Sequence, residues 1–493
     1  MNKMKRILAI VLSVLMLASM ATVGTFAETT GESTVVNNNP YSVAAMALDE
    51  EYAYDGALGA TYSPNNTTFT LWAPTATKVV LNLYATGSDK EEGAANLGAY
   101  ELSQLMDGDK FTGAWAVTVD GDLKNVYYTY SVTSPSRIIN GKETTRETQD
   151  PYSFAVGVNS ARSMVVDLDS TDPEGWDNDA NIYVEEQSDA IIWELQVKDF
   201  SYSETSGVSE ANRGKYLAFT ELGTTLNGEG NISTCIDYLK NLGITHVQIN
   251  PFYDFGSIDE TGPDTQYNWG YDPMNYGVPE GSFSSNPYDG NVRINECKQM
   301  IQALHEAGIG VVMDVVFNHT YKQDSCFTAV VPDYYYRINA DGTFSNQSGC
   351  GNDTASERYM YRRYMMDMLQ YWVDEYHIDG YRFDLMGIHD VETMNLIRAM
   401  LDETDERILM YGEGWSGNST FDPVSCTGTP VLGCTQKNAD VTSDRIAFFN
   451  DQMRDALKGG VFDGNGYIIT GLQLVVTDNT VTTCGFFGAL SVY

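Results

Sequence analysis

Positive charge is what this chain has least of: 29 Lys and Arg stand against 67 Asp and Glu, a net charge of -38 over 493 residues. A surface that negative repels phosphate backbones and anionic lipid. Nucleic acid and membrane faces are therefore excluded as partners, and the balance suits an exported protein acting on a neutral polymer. Cysteine is scarce as well. Seven in a chain this long make no disulfide framework, the odd count leaves at least one unpaired, and no Cys/His spacing matches a zinc site. Cys426 and Cys434 flank a Gly/Pro loop and are a candidate bridge, whereas Cys235 and Cys297 fall on apolar helix faces as small core residues. Apolar runs long enough to cross a bilayer are missing, and no glycine-rich nucleotide fingerprint follows the first predicted strand of the α/β region.

The N-terminus holds Lys3, Lys5 and Arg6, the apolar run Ile7 to Met16, and small residues through Thr25-Phe26-Ala27. That layout predicts a secretory signal peptide over 1–27, cleaved after Ala27, with the mature chain soluble and extracellular. Residues 28–51 are polar and read as a linker. From 52 to 176 short alternating runs such as Lys78-Val79-Val80-Leu81-Asn82-Leu83-Tyr84 recur between Pro, Gly and Asn turns, which predicts a small β-sandwich. Trp72 and Trp115 sit at alternating positions there, so core packing is favoured over a role as glycan platforms.

From 177 to 458 the rhythm is strand, helix, strand. Predicted strands are Ala190 to Val197, Ile244 to Asn250, Gly310 to Val316, Gly380 to Asp384, Arg407 to Tyr411 and Arg445 to Phe449. A helix carrying Ile232, Ile236, Leu239 and Leu242 ends at Gly243, one carrying Ile294, Cys297, Ile301 and Leu304 ends at Gly308, and a long one runs from about Arg358 to Tyr376. Repeated β-α units with near-continuous apolar strands indicate a parallel sheet. Polar residues at so many strand ends favour a (β/α)8-type barrel over an open sheet.

In such a barrel the active site lies at the C-terminal ends of the strands. Those ends supply Asn318 and His319 after the third strand, Arg382 and Asp384 at the fourth, and Glu413 at the fifth. Arg382 and Asp384, two apart, share one face of their strand, and the arginine keeps the carboxylate ionised. Adjacent strands lie about 4.7–4.9 Å apart. Carboxyls at the ends of strands four and five can thus flank one sugar as the nucleophile and acid/base of a retaining glycosidase. Asp384 is the nucleophile of this reading. Glu413, between Tyr411 and Trp415, is the proton donor.

The segments Asp314 to Thr320, Gly380 to Asp384 and Tyr411 to Trp415 resemble three catalytic motifs of the alpha-amylase superfamily of glycoside hydrolases. Tyr267-Asn268-Trp269-Gly270-Tyr271-Asp272-Pro273 is similar to the signature of type I pullulanases, which cleave α-1,6 branch bonds, and the region around Leu58 to Pro74 resembles the sandwich that precedes their barrel. The resemblance implies Asp384 as nucleophile and Glu413 as acid/base, Arg382 as the group orienting the nucleophile, and His319 as a hydrogen-bonding partner of the sugar. It further implies Tyr271 as its stacking face, Trp269, Asn268 and Trp415 as further substrate contacts, and Asp314 as structural support. The implied substrates are pullulan, amylopectin, glycogen and limit dextrins. No cofactor is required, and Ca²⁺ is a candidate ion without a regular ligand spacing to mark it.

One expected motif is absent. The superfamily pattern places a His-Asp pair after the second catalytic carboxylate, yet the last histidine here is His389. Between 459 and 493 only Asp463 and Asp478 are charged, and no further β-α unit is legible, so the chain reads as truncated within the barrel. The alternatives to an α-1,6-glucan hydrolase are therefore an inactive glucan-binding product and an α-1,4-acting amylase or neopullulanase relative.

Overall fold

A computed structural model describes residues 38–415 and 421–458. The expected signal peptide, the first part of the expected linker and the 459–493 tail lie outside the described residues. The rest of the linker differs from the expectation, for Pro40–Tyr52 is a helix, α1. Its start is well specified: the Asn39 side chain accepts a hydrogen bond from the Tyr41 amide, proline occupies the first turn, and helix-forming Ala and Glu follow. The segment is polar because its anchor is polar. Asp49 accepts from the Tyr334 hydroxyl and from the Tyr359 amide at 3.1 Å, and burial lifts its carboxyl to about 6.

The sandwich has nine strands: β1 (Gly59–Ser63), β2 (Asn66–Trp72), β3 (Lys78–Tyr84), β4 (Asn96–Glu101), β5 (Ser103–Asp107), β6 (Lys110–Asp120), β7 (Tyr127–Pro135), β8 (Glu143–Thr148) and β9 (Ser163–Met164). They form two antiparallel sheets, β1-β2-β6-β5 and β4-β3-β7-β8, with β9 added to β7. Alternation sorts β3, burying Val79, Leu81 and Leu83 while Lys78 faces solvent. Trp72 and Trp115 are both core residues. Trp72 also fastens the sandwich to its neighbours, packing on Tyr334 at 4.9 Å between ring centres and donating to the Tyr52 carbonyl at 2.8 Å.

The second region is built on a six-stranded, all-parallel sheet in the order β10 (Ile192–Leu195), β11 (His246–Ile249), β14 (Gly310–Val315), β15 (Gly380–Phe383), β16 (Leu409–Gly412) and β17 (Ala447–Phe448). A hairpin, β12 (Tyr253–Phe255) with β13 (Pro273–Pro279), is inserted after β11. Helices α2 (Cys235–Leu242), α3 (Gly290–Glu306), α4 (Tyr359–Tyr376) and α5 (Val391–Thr404) lie between strands. Every residue of β14 is buried, which fits its near-continuous apolar run, interrupted only by Asp314. Ile294, Cys297, Ile301 and Leu304 form the buried stripe of α3 as their spacing predicts. Ile232 is different: α2 starts only at Cys235, and Ile232 is 62 % exposed ahead of it. Cys426 and Cys434 are separate thiols.

The opposite, N-terminal ends of the strands are tied by a buried charge network. Asp379, just before β15, accepts from the Val311 amide at 2.6 Å and the Ile182 amide at 2.8 Å. His305 at the end of α3 donates to Asp379 at 2.9 Å and to Asp179 at 2.8 Å, and Asp179 also accepts from His377 at 2.7 Å. Burial opposes a charge on His305, but hydrogen bonds to two carboxylates outweigh it and lift the imidazole to about 9. A group raised above its unfolded value stabilises the fold at low pH and loses that contribution as pH climbs through its folded value. Stability should therefore fall between about pH 7 and the folded value of about 9. In His305→Asn, urea midpoints measured across this window should be lower at neutral pH and fall less steeply than in the parent; a parallel slope in both proteins would refute the linkage.

Candidate active site

Strand register brings the predicted residues together. Asp314 pairs with Arg382, which pairs with Tyr411, so the three share one face of the sheet. Asp384 and Glu413 lie two residues further along their own strands and continue that face past the strand ends. Arg382 is the hub. Its Nη1 donates to Asp314 Oδ1 at 2.9 Å and to Asp384 Oδ1 at 3.1 Å, and its Nη2 donates to Glu413 Oε1. The sequence paired Arg382 with Asp384 alone, whereas one guanidinium serves three carboxyls.

Their surroundings set them apart. Asp314 is fully buried, and burial together with the Asp384 charge lifts it to about 7 against the pull of Arg382. It accepts from the Tyr271 hydroxyl at 2.7 Å and so supports Tyr271 instead of facing solvent. Glu413 is also raised, first by burial and then by the nearby Asp384 charge, while Arg382 opposes the shift. A carboxyl that holds its proton more tightly beside one anchored by donors is the division of labour expected of an acid and a nucleophile. His319 donates from Nε2 to the Tyr271 carbonyl at 2.8 Å, locking the Tyr271 loop to the end of β14.

Other predicted contacts are arranged differently. Asn268 spends its side chain inside its own loop, donating to the Gly256 carbonyl at 2.8 Å and to Asp272 at 3.0 Å, and accepting from the Gly270 amide at 2.8 Å. Gly270 has φ +92, and a side chain there would meet the Pro251 carbonyl, so only glycine fits the turn that delivers Tyr271. Trp269 is 62 % and Trp415 39 % exposed. Both are partly exposed, and Trp269 meets Tyr267 edge to face at 6.5 Å between ring centres.

Three residues went unread. Leu385 follows Asp384 with φ 42 and ψ 46, a left-handed conformation costly for leucine, and this turn aims its amide at Glu413 Oε2, 3.0 Å away. Phe449, past β17, lies 5.4 Å under the Arg382 guanidinium. Gln248 on β11 accepts from the Tyr411 hydroxyl at 2.8 Å. None of the three carries a motif; the Asn-Pro-free turn at Leu385 gives no local signal at all.

Comparison with known proteins fits this geometry. The alpha amylase catalytic domain family matches residues 198–346, and carbohydrate-binding module 48 (isoamylase N-terminal domain) matches 57–153. The pullulanase of Bacillus subtilis is 39% identical over 425 residues, 85% of this chain and 54% of that protein. The crystal structure of a pullulanase from Paenibacillus barengoltzii, in complex with maltohexaose and alpha-cyclodextrin, superposes with a TM-score of 0.76 at 44% identity, covering 84% of this chain and 60% of that one. The chain is a relative of the pullulanases in the alpha-amylase superfamily. Pullulanase 1 of Arabidopsis thaliana chloroplasts is 36% identical over 478 residues, 87% of this chain and 46% of that protein. The chain thus spans about half the length of these curated relatives.

In this pullulanase relative, one group of carboxyls among the described residues is close enough to hold an ion: Asp254, Glu260 and Glu280 each place an oxygen within 4.8 Å of the others. The position is already taken by a cation. Arg293, fully buried, donates to Glu260 at 3.0 and 2.9 Å and lies 3.6 Å from Asp254. Burial and the Glu260 charge push Asp254 and Glu280 upward, toward their neutral forms. A set whose charge is met by a guanidinium and two raised carboxyls does not fit Ca²⁺.

Proposed function

We propose that this chain is an exported α-1,6-glucan hydrolase acting on pullulan and branched α-glucans by double displacement with net retention. The observation that carries this reading is the single guanidinium of Arg382 bonded to Asp384 and Glu413 at adjacent strand ends. Glu413 would protonate the glycosidic oxygen while Asp384 attacks the anomeric carbon, forming a glycosyl ester. Deprotonated Glu413 would then activate the water that cleaves it. The ring of Tyr271, braced by Asp314, and the exposed Trp269 and Trp415 offer apolar faces to sugar C–H surfaces at little entropic cost. Export is supported by the N-terminal charge and apolar pattern.

Products of pullulan digestion test the linkage assignment. Maltotriose released first as its α-anomer, followed by NMR, is the expected result. Panose would instead assign α-1,4 cleavage. Binding of amylopectin without reducing sugar from any α-glucan would leave a glucan-binding protein.

A further inference from the structure

Building on the hydrolase reading, we infer that Asn318 is a positioning residue that fixes the rotation of the Asp384 carboxylate. Asn318 is fully buried at the end of β14. Its Nδ2 donates to Asp384 Oδ2 at 2.9 Å and to the Asp384 main-chain carbonyl at 2.9 Å. Its Oδ1 faces His319 Nδ1 at 2.6 Å. The amide cannot be turned over, because its own oxygen would then face two acceptors at once. Arg382 holds the other carboxylate oxygen, Oδ1, at 3.1 Å. Each oxygen therefore has one fixed donor, and rotation about the Cβ–Cγ bond breaks both contacts.

Arg382 cannot do this alone. Its position is a compromise between three carboxyls, and it shares Nη1 between Asp384 and Asp314. Asn318 is the donor whose side chain serves Asp384 in particular, and the bond to the main-chain carbonyl also ties the end of β14 to the end of β15. The charged and titratable groups facing Asp384 are Arg382, Asp314, Glu413, His319, Tyr271, Tyr253 and Cys350. Among these, the guanidinium donates to Oδ1, and Glu413 in its protonated form shares a side-chain hydrogen bond with Asp384. Removing Asn318 takes away the amide donor fixed on Oδ2.

Two variants separate positioning from mere structure. In Asn318→Ala, kcat on pullulan should fall about 100-fold with KM within about twofold, the cost of a misplaced reacting group. The acid limb of its kcat/KM profile should move about one unit toward higher pH, because a donor to the ionised form is lost. Asn318→Asp keeps the shape but donates only when it carries a proton, so its optimum should move toward lower pH. Opposite displacements support the inference. Unmoved limbs, or two displacements in the same direction, overturn it. Crystal structures of the parent and Asn318→Ala give a readout free of turnover: a rotated Asp384 carboxylate is expected, and an unchanged one refutes the assignment. If the parent chain hydrolyses no α-glucan, the hydrolase reading fails while the crystallographic comparison still decides the role of Asn318.

Discussion

Replacing Asp384 by Asn should lower kcat on pullulan by about 10⁴-fold or more and leave the fold intact. The amide is isosteric but cannot form the glycosyl ester, so the loss falls on the chemical step and KM should change little. Stability is preserved for an electrostatic reason. Asp314, Asp384 and Glu413 share the charge of one guanidinium, and the Asp384 charge raises the other two. Neutralising one of them relieves repulsion and offsets the donor left facing an amide. Asp314, held up to about 7 partly by the Asp384 charge, should titrate lower in the variant. Activity retained within tenfold, with circular dichroism unchanged, would sink the nucleophile assignment.

Replacing Arg293 by Met should cost about 3–5 kcal/mol, the penalty for stripping a buried ion cluster of one partner. Glu260, Asp254 and Glu280 would be left around an apolar side chain with no cation among them. The cluster also anchors the sandwich, since the Asn159 amide donates to Glu260 at 2.7 Å and the Ser160 hydroxyl to Asp254 at 2.5 Å. The loss should depend on pH. Carboxyls whose folded values are raised bind more protons folded than unfolded, so stability falls as pH rises through them. Without Arg293 they rise further. The deficit in urea-derived stability should therefore be larger at pH 8 than at pH 5; an equal deficit at both would show that packing, not charge, accounts for it.

Particular residues show why some of this was legible beforehand. The buried stripe of α3 follows from helical spacing, which is local. Arg293, directly beside Ile294 on that helix, is just as buried, but the local pattern marks a charged residue as surface, and its partners Asp254, Glu260 and Glu280 come from other segments. Asp384 and Glu413 were readable because barrel strands offer their ends to one site. Asn268 shows the limit of a motif: the signature around it is present, yet its side chain builds the loop instead of reaching outward. The helix at Pro40–Tyr52 was missed although its cap and first-turn proline are plain, because its buried face is Ser42, Ala45 and Asp49 and no stripe of large apolar residues marked it.

By itself the sequence determined the two regions, the order of the six parallel strands, and which carboxylates and arginine stand at their ends. Each rests on a period of two or of 3.6 residues, or on the rule that parallel strands end together. Tertiary structure alone decided that Arg382 reaches Asp314, 68 residues away, and Glu413, 31 residues away, and that Leu385 takes a left-handed turn to place its amide on Glu413. Such contacts join side chains whose spacing in the chain carries no period. They are set by how neighbouring strands register and by which donors remain for a buried carboxylate, and only the assembled sheet brings those donors within reach.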